Sequence, residues 1–283
     1  MIAHPYILRT MSRPEIDIAV DWAAAEGWNP GWHDADCFHA ADAAGFLVGL
    51  LDGEPVATIS VVKYGESFGF LGFYIVSPAH RGKGYGLAIW NAGLEYLRGR
   101  TIGLDGVVAQ QDNYRKSGFA LAYRNIRHSG KAAADGAAHA SVMPLSTWPL
   151  EHVIAYDEPF FPQQRRQFLE CWIRQPESTA LGVEENGRLA GYGVIRACRS
   201  GFKIGPLFAD TPAYAERLFH ALRSRVPRDA PIFLDTPETN REAVALAERH
   251  GMTPVFETAR MYAGPAPKLP LQRLFGVTTF ELG

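Results

Sequence analysis

This sequence has few cysteines, no long apolar run and no segment that resembles a signal peptide. Its three cysteines, Cys37, Cys171 and Cys198, lie far apart and form no Cys-x-x-Cys motif, which favours reduced thiols over disulfides or a zinc site. No apolar run approaches the roughly 20 residues that span a bilayer, and no cationic region followed by an apolar stretch resembles a signal peptide. We therefore expect a cytoplasmic protein with no membrane partner and no bound metal.

Neither sign of charge is in excess. Lys and Arg number 28 against 30 Asp and Glu, which gives a formal net charge of -2. This balance provides no electrostatic basis for nucleic acid as a partner. The 283 residues, of which 47% are hydrophobic, suffice for two globular domains of roughly 140 residues each. Composition alone thus indicates an ordinary globular protein.

The hydrophobic pattern predicts a mixed α/β order in the first half. A capping box of Ser12 and Glu15 opens a helix whose apolar residues recur at helical spacing, and the turn Asp52-Gly53 joins two strands. After a short first strand, the predicted order is α, α, β, β, β, α, β, α, β. A small, polar, proline-bearing stretch over 128–149 then predicts a loop and linker.

The second half repeats this plan. Two landmarks recur after 134 residues and a third after 133, the pairs being Gly53 and Gly187, Pro78 and Pro212, and Gly118 and Gly251. A nearly constant offset indicates a duplicated domain. We therefore expect an N-terminal domain over 1–148 and a C-terminal domain over 149–283. In the segment 277–282, alternating apolar and polar side chains predict a strand.

The two halves differ at a glycine-rich turn between a strand and a helix. The first half has "RGKGYG" over 81–86, where the second has "AERLFH" over 215–220. Alternating glycines permit positive φ and close approach of a ligand to the backbone, and the free N–H groups of the following helix favour a phosphate. The spacing fits neither a P-loop nor a dinucleotide-binding G-x-G-x-x-G turn. A nucleotide-binding oxidoreductase is therefore disfavoured.

The segment "VSPAHRGKGYG" resembles the acetyl-CoA site of the GNAT acetyltransferases, whose signature is R/Q-x-x-G-x-G/A after a strand. Arg81, Gly84 and Gly86 fall on the signature positions, and "YRKSGF" over 114–119 matches the family's Tyr-x-x-x-Gly-Phe landmark. The resemblance covers about residues 5–145, and the second half looks like a degenerate repeat. It implies tandem α/β domains, each with a mixed, splayed sheet flanked by helices.

The resemblance also implies a reaction and a set of binding residues. Acetyl-CoA would be the cosubstrate, and an amine would attack its thioester directly while Tyr114 protonates the departing thiolate. The implied cofactor-binding residues are Ile75, Val76, Arg81, Gly82, Lys83, Gly84, Tyr85, Gly86, Gln111, Asn113 and Tyr114. Val107 stands where the family places an Asn, and the following helix is shortened, so we expect Gln110, Gln111 or Asn113 to supply the missing polar contact.

The base and the acceptor are predicted from the position of polar residues and from the repeat. Glu66, on the turn before the fourth strand, is our candidate base, and Asp34 or His33 are alternatives. The acceptor is expected to be an amine on a small molecule or a peptide, with the second half forming a wall of the acceptor cleft or a homodimer interface. A non-catalytic acyl-CoA-binding sensor is the alternative function, because the usual Asn is missing and the helix is short.

Overall fold

One mixed sheet of thirteen strands runs through residues 5–133 and 140–283, which the computed structural model describes. The first half contributes β1 (Tyr6–Thr10), α1 (Arg13–Ala25), α2 (Asp34–Ala41), β2 (Phe46–Leu51), β3 (Glu54–Tyr64), β4 (Phe68–Val76), α3 (Tyr85–Tyr96), β5 (Thr101–Val107), α4 (Gln111–Lys116) and β6 (Ala120–Lys131). Every element predicted for this half is present in the predicted order.

The second half follows the same plan after a short strand. Its elements are β7 (Val142–Pro144), α5 (Leu150–Asp157), α6 (Arg166–Trp172), β8 (Ser178–Glu185), β9 (Arg188–Ala197), β10 (Phe202–Ala209), α7 (Pro212–Arg223), β11 (Pro231–Pro237), α8 (Arg241–Arg249), β12 (Thr253–Ala263) and β13 (Leu274–Gly276). Within the described residues, no helix is long and apolar enough to cross a membrane.

Two local predictions are wrong. The stretch predicted as a linker is partly strand, because β6 continues to Lys131, which pairs with Pro231 of β11, and β7 follows; residues 134–139 of that stretch lie outside the described residues. The strand predicted over 277–282 is absent. Pairing stops at β13, and the segment that follows is buried between the halves in an irregular path, so its alternation does not reflect a sheet face.

The halves exchange their last long strands. The sheet order is β1-β2-β3-β4-β5-β12-β6-β11-β10-β9-β8-β7, so β12 of the second half pairs with β5 of the first, and β6 of the first pairs with β11 of the second. The order reads the same from both ends once each strand is replaced by its equivalent in the repeat. Neither half therefore holds a complete sheet without the other.

Buried ion pairs fix this exchange symmetrically. Asp105 on β5 accepts from Arg260 on β12 at 2.9 and 2.6 Å, and Asp235 on β11 accepts from Arg127 on β6 at 2.7 and 2.8 Å. Each pair thus takes its aspartate from one half and its arginine from the other. Burial alone would raise the pKa of Asp235, but the Arg127 guanidinium outweighs it and holds that pKa below its ordinary value.

A disulfide joins the halves, so the expectation of reduced thiols is wrong for two of the three cysteines. Cys37 on α2 is bonded to Cys171 on α6, whereas Cys198 is free and buried. The two half-cystines are 134 residues apart, which is the offset of the repeat, so equivalent positions of the two copies meet where α2 packs on α6. Phe38 and Trp172, the next pair at this offset, stack at 6.1 Å.

Replacing Asp235 by Asn tests whether these pairs hold the halves together. Arg127 would remain buried without its counter-charge, so we expect Asp235→Asn to lower the free energy of unfolding by about 3–5 kcal/mol. Denaturant unfolding measures this. Asp229→Asn is the matched control, because Asp229 is exposed, and it should change stability by no more than about 0.5 kcal/mol. Equal effects of the two substitutions would contradict the assignment.

Candidate functional site

Two parallel strands at the centre of the first half separate part-way along their length. β4 and β5 pair from Phe68 opposite Thr101 to Leu71 opposite Leu104 and no further. Beyond this point β4 continues to Val76 without β5 as a partner. The strands therefore enclose a V-shaped space that opens toward the end of β4.

A bulge in β4 coincides with this separation. Two residues of β4, Phe73 and Tyr74, stand opposite one residue of β3, and Phe73 has a φ of +46°, which is rare for an aromatic residue. The Thr58 hydroxyl on β3 donates to the Phe73 carbonyl at 2.8 Å and holds this conformation. Bulges redirect a strand and free its backbone groups, so the bulge leaves the end of β4 available to a ligand.

The glycine turn follows at the end of β4. Gly82 and Gly84 have φ of +74° and +89°, and a Cβ built on either would meet no atom within 4 Å. Gly84 is the N-cap of α3 and offers no side chain to its first N–H groups. A positive helix end with open space before it and no capping side chain is suited to an anion. The turn thus has the geometry of an anion site, as expected for the phosphate that the sequence predicts there.

Arg81 is held beside this turn. Its Nε donates to the Val76 carbonyl at 2.9 Å, and its guanidinium also contacts Glu26. The side chain is about half exposed, at 51%. It therefore presents a positive charge to solvent at the mouth of the space between β4 and β5.

A single cavity of about 570 Å³ connects the turn with the separated strands. Seven of the predicted cofactor-binding residues line it: Ile75, Val76, Arg81, Gly82, Gly84, Gly86 and Tyr114. Lys83 in the turn, Tyr85 at the start of α3, and Gln111 and Asn113 on α4 are all outside this lining. Gln110 lines the cavity and accepts from Asn113 at 2.7 Å, so it is the one of the three polar candidates near Val107 that reaches the space.

Tyr114 is a buried and well-positioned phenol. Its ring packs on Gly106, where a Cβ would lie 2.2 Å from it, and stacks on Trp90 at 5.6 Å. Burial, with a smaller contribution from Tyr74, raises the pKa of Tyr114 to about 12. The phenol is therefore protonated at neutral pH and able to donate.

The equivalent space in the second half is filled by the chain itself. β10 and β11 pair in parallel only from Phe202 to Ile204, and β13 then pairs with β10 beyond that point. Thr211 caps α7 by accepting from the Tyr214 N–H at 3.3 Å. A strand therefore occupies the slot and a hydroxyl satisfies the helix end, in addition to the loss of the glycines.

None of the three sequence candidates for the base lines the cavity. Glu66 is exposed in the turn before β4, at the end of that strand opposite the glycine turn. Asp34 is fully buried and pairs with Arg196 at 2.8 and 3.1 Å, which makes it a structural counter-charge. His33 lies 3.9 Å from Glu177 on another surface.

The sequence prediction missed the residues that the second half supplies to this cavity. Phe256 and Thr258 on β12 and Phe280 and Glu281 in the segment after β13 line it together with Trp28. They lie more than 130 residues from the glycine turn in the sequence, and no motif marks them. The strand exchange brings Phe256 and Thr258 to the base of the V, and the segment after β13 brings Phe280 and Glu281 there.

A cluster elsewhere brings metal-binding groups together. Ligand atoms of Glu216, His220 and His250 lie within 4.8 Å of one another. Arg223 lies 3.2 and 3.3 Å from the Nδ1 atoms of the two histidines, and Arg249 donates to Glu216 at 2.8 Å. Because a guanidinium only donates, each Nδ1 accepts and each Nε2–H is directed to Glu216. The three side chains are thus hydrogen-bonded to one another and to the two arginines. The positive charge of the two guanidinium groups disfavours binding of a metal cation.

Comparison with known proteins agrees with the geometry. Residues 13–119 match the Acetyltransferase (GNAT) family and residues 153–276 match an Acetyltransferase (GNAT) domain. The Holothin acyltransferase of Pseudoalteromonas sp. (strain SANK 73390) is 30% identical over 272 residues, which cover 96% of this chain and 92% of that protein.

Solved structures agree with the fold. The crystal structure of a Pyrococcus horikoshii protein has a TM-score of 0.85 and 23% identity, covering 100% of this chain and 98% of its own. A tandem GNAT protein from the clavulanic acid biosynthesis pathway has a TM-score of 0.65 and 14% identity, covering 93% and 100%. The chain belongs to the GNAT acyltransferase family, as a member with two GNAT domains in tandem.

Proposed function

We propose that the chain transfers the acetyl group of acetyl-CoA to a primary amine, using one cofactor site in its first half. One observation carries the proposal: a single cavity joins the uncapped end of α3 to the slot between β4 and β5. The pyrophosphate would lie on the N–H groups after Gly82, and the pantetheine arm along Ile75 and Val76. This arrangement would direct the thioester toward the base of the V.

The reaction needs one carbon–nitrogen bond to form as one carbon–sulfur bond breaks. The amine nitrogen attacks the thioester carbonyl, and the thiolate leaves with the electron pair of the C–S bond. Tyr114 gives its phenolic proton to that thiolate, and the proton that the nitrogen loses on becoming an amide restores the phenol. The chain's part is to orient the amine, exclude water and place this proton.

A screen of amines would identify the acceptor. The relative named Holothin acyltransferase supports acyl transfer but does not identify the acceptor of this chain. A screen of CoA release over a panel of amines, with acetyl-CoA saturating, tests the proposal. Turnover with an amine supports it. Tight acetyl-CoA binding with no turnover on any amine would favour the sensor function instead.

A carboxylate in the glycine turn tests the cofactor site. Gly84→Glu would place a negative charge in the pyrophosphate space, so we expect acetyl-CoA affinity to fall by at least about 100-fold. Isothermal titration calorimetry measures it. Gly187→Glu is the control, because Gly187 also has positive φ, +76°, with open space around a Cβ. It should bind as the wild type does. Two equal CoA sites per chain would refute a single site.

Removing the Tyr114 hydroxyl tests the proton donor. We expect Tyr114→Phe to lower kcat by about 10²–10⁴-fold and to leave the KM for acetyl-CoA nearly unchanged. Steady-state kinetics with the best amine of the panel measures both constants. Tyr214→Phe, on α7, should have no effect. An unchanged kcat for Tyr114→Phe would assign the proton to another donor or to water.

A further inference from the structure

We propose that Glu281 binds the acceptor as an ammonium and takes its proton, and that the acceptor is a primary amine on a flat apolar body without a carboxylate. The inference rests on the proposed function of the same cavity. It names the base and the acceptor class, neither of which follows from the glycine turn or from Tyr114.

Glu281 lies at the base of the V. A Cβ built on Gly72 of β4 would be 2.2 Å from the Glu281 carbonyl oxygen, and Gly72 follows the last residue of β4 that pairs with β5. Glu281 lines the cavity together with Gly72, Leu104 and Asp105. The thioester of a cofactor held at the glycine turn would point to this end, so Glu281 is near the expected position of the attacking nitrogen.

The Glu281 carboxylate is buried, and only one of its two oxygens accepts a hydrogen bond. The residue is 3% exposed, its Oε2 accepts from the Thr279 hydroxyl, and its Oε1 has no hydrogen-bond partner. No ion pair to Glu281 occurs among residues 5–133 and 140–283. A buried carboxylate without a directly bonded cation is costly, and an ammonium ion would supply both the missing charge and the missing donor.

Three buried cations lie near this carboxylate without binding it. Arg127, Arg196 and Lys203 are buried within electrostatic range of Glu281. Both arginines are paired with aspartates, and the Lys203 ammonium donates to the Asn29 carbonyl at 2.9 Å. None of the three side chains donates a hydrogen bond to Glu281. Oε1 is thus left for a ligand.

The rest of this end of the cavity suits an apolar amine. The hydroxyl of Thr258 is buried and has no partner, so it offers a second acceptor to an ammonium ion. Trp28, Phe256 and Phe280 form apolar walls, which favour a flat body. Arg81 is the one cation among the lining residues, and it lies at the glycine turn. A carboxylate on the substrate would therefore find no guanidinium or ammonium group to bind directly among the residues that line this end.

Each proton that the acceptor releases has a defined destination. The ammonium gives one proton to Glu281 Oε1, which leaves the nitrogen lone pair free to attack the thioester carbonyl. The C–N bond forms, the C–S bond breaks, and Tyr114 supplies the proton of the thiol and recovers the one that the nitrogen releases. Glu281 then returns its proton to solvent as the amide leaves.

Two amines and one substitution test the inference. With acetyl-CoA saturating, we expect the wild type to acetylate 2-phenylethylamine with a kcat/KM at least about 100-fold above that for phenylalanine, which adds only a carboxylate. Glu281→Gln should lower kcat/KM for 2-phenylethylamine by about 10²–10³-fold and leave the calorimetric affinity for acetyl-CoA unchanged. Glu158→Gln, an exposed residue of the second half, is the matched control and should behave as the wild type.

The outcomes separate this inference from the proposed function. If the wild type does not bind acetyl-CoA, the proposed function is refuted. Normal binding with no acetylation of 2-phenylethylamine, or equal use of phenylalanine, would refute the acceptor class, and full activity of Glu281→Gln would refute the base. If Glu281→Gln fails to fold, Thr258→Val provides the test of the acceptor site. A KM for 2-phenylethylamine that rises by about 10-fold would support the site. An unchanged KM would overturn it.

Discussion

Two reciprocal aspartate–arginine pairs are the interaction on which the rest of this structure depends. Asp105 with Arg260 and Asp235 with Arg127 each bury one charge from either half. A half that folded alone and kept these positions buried would leave a charge without its partner, which is costly. The pairs therefore favour the exchange of β6 and β12, by which the two halves form one sheet.

The two halves share one fold but differ at the slot between their parallel strands. In the first half, the strands separate into open space and the following helix begins without a cap. In the second, β13 fills the same separation and Thr211 caps the helix. The polypeptide that closes the second slot continues directly to Glu281 at the base of the first. One segment thus removes a cofactor site from one copy and completes the acceptor end of the other.

The parts of the site that depend on local backbone conformation were predictable. Gly82 and Gly84 could be identified because positive φ selects glycine strongly, and the shortened α4 could be read from the residue count between landmarks. Phe73 could not, since its positive φ is imposed by the bulge opposite β3 and its residue type gives no sign of it. Glu66 is predicted as the base from its place beside a strand, and in the structure it lies at the end of β4 opposite the glycine turn.

Contacts between the two halves of the chain could not be predicted from the sequence by itself. The sequence determined the order of elements, the duplication, the glycine turn and the family, because each depends on residues that are close along the chain. Only the tertiary structure decided that Cys37 meets Cys171, that Asp34 belongs to Arg196 and that Glu281 reaches the cavity. These contacts join residues more than 130 positions apart, and they exist because the exchanged strands bring the two copies face to face.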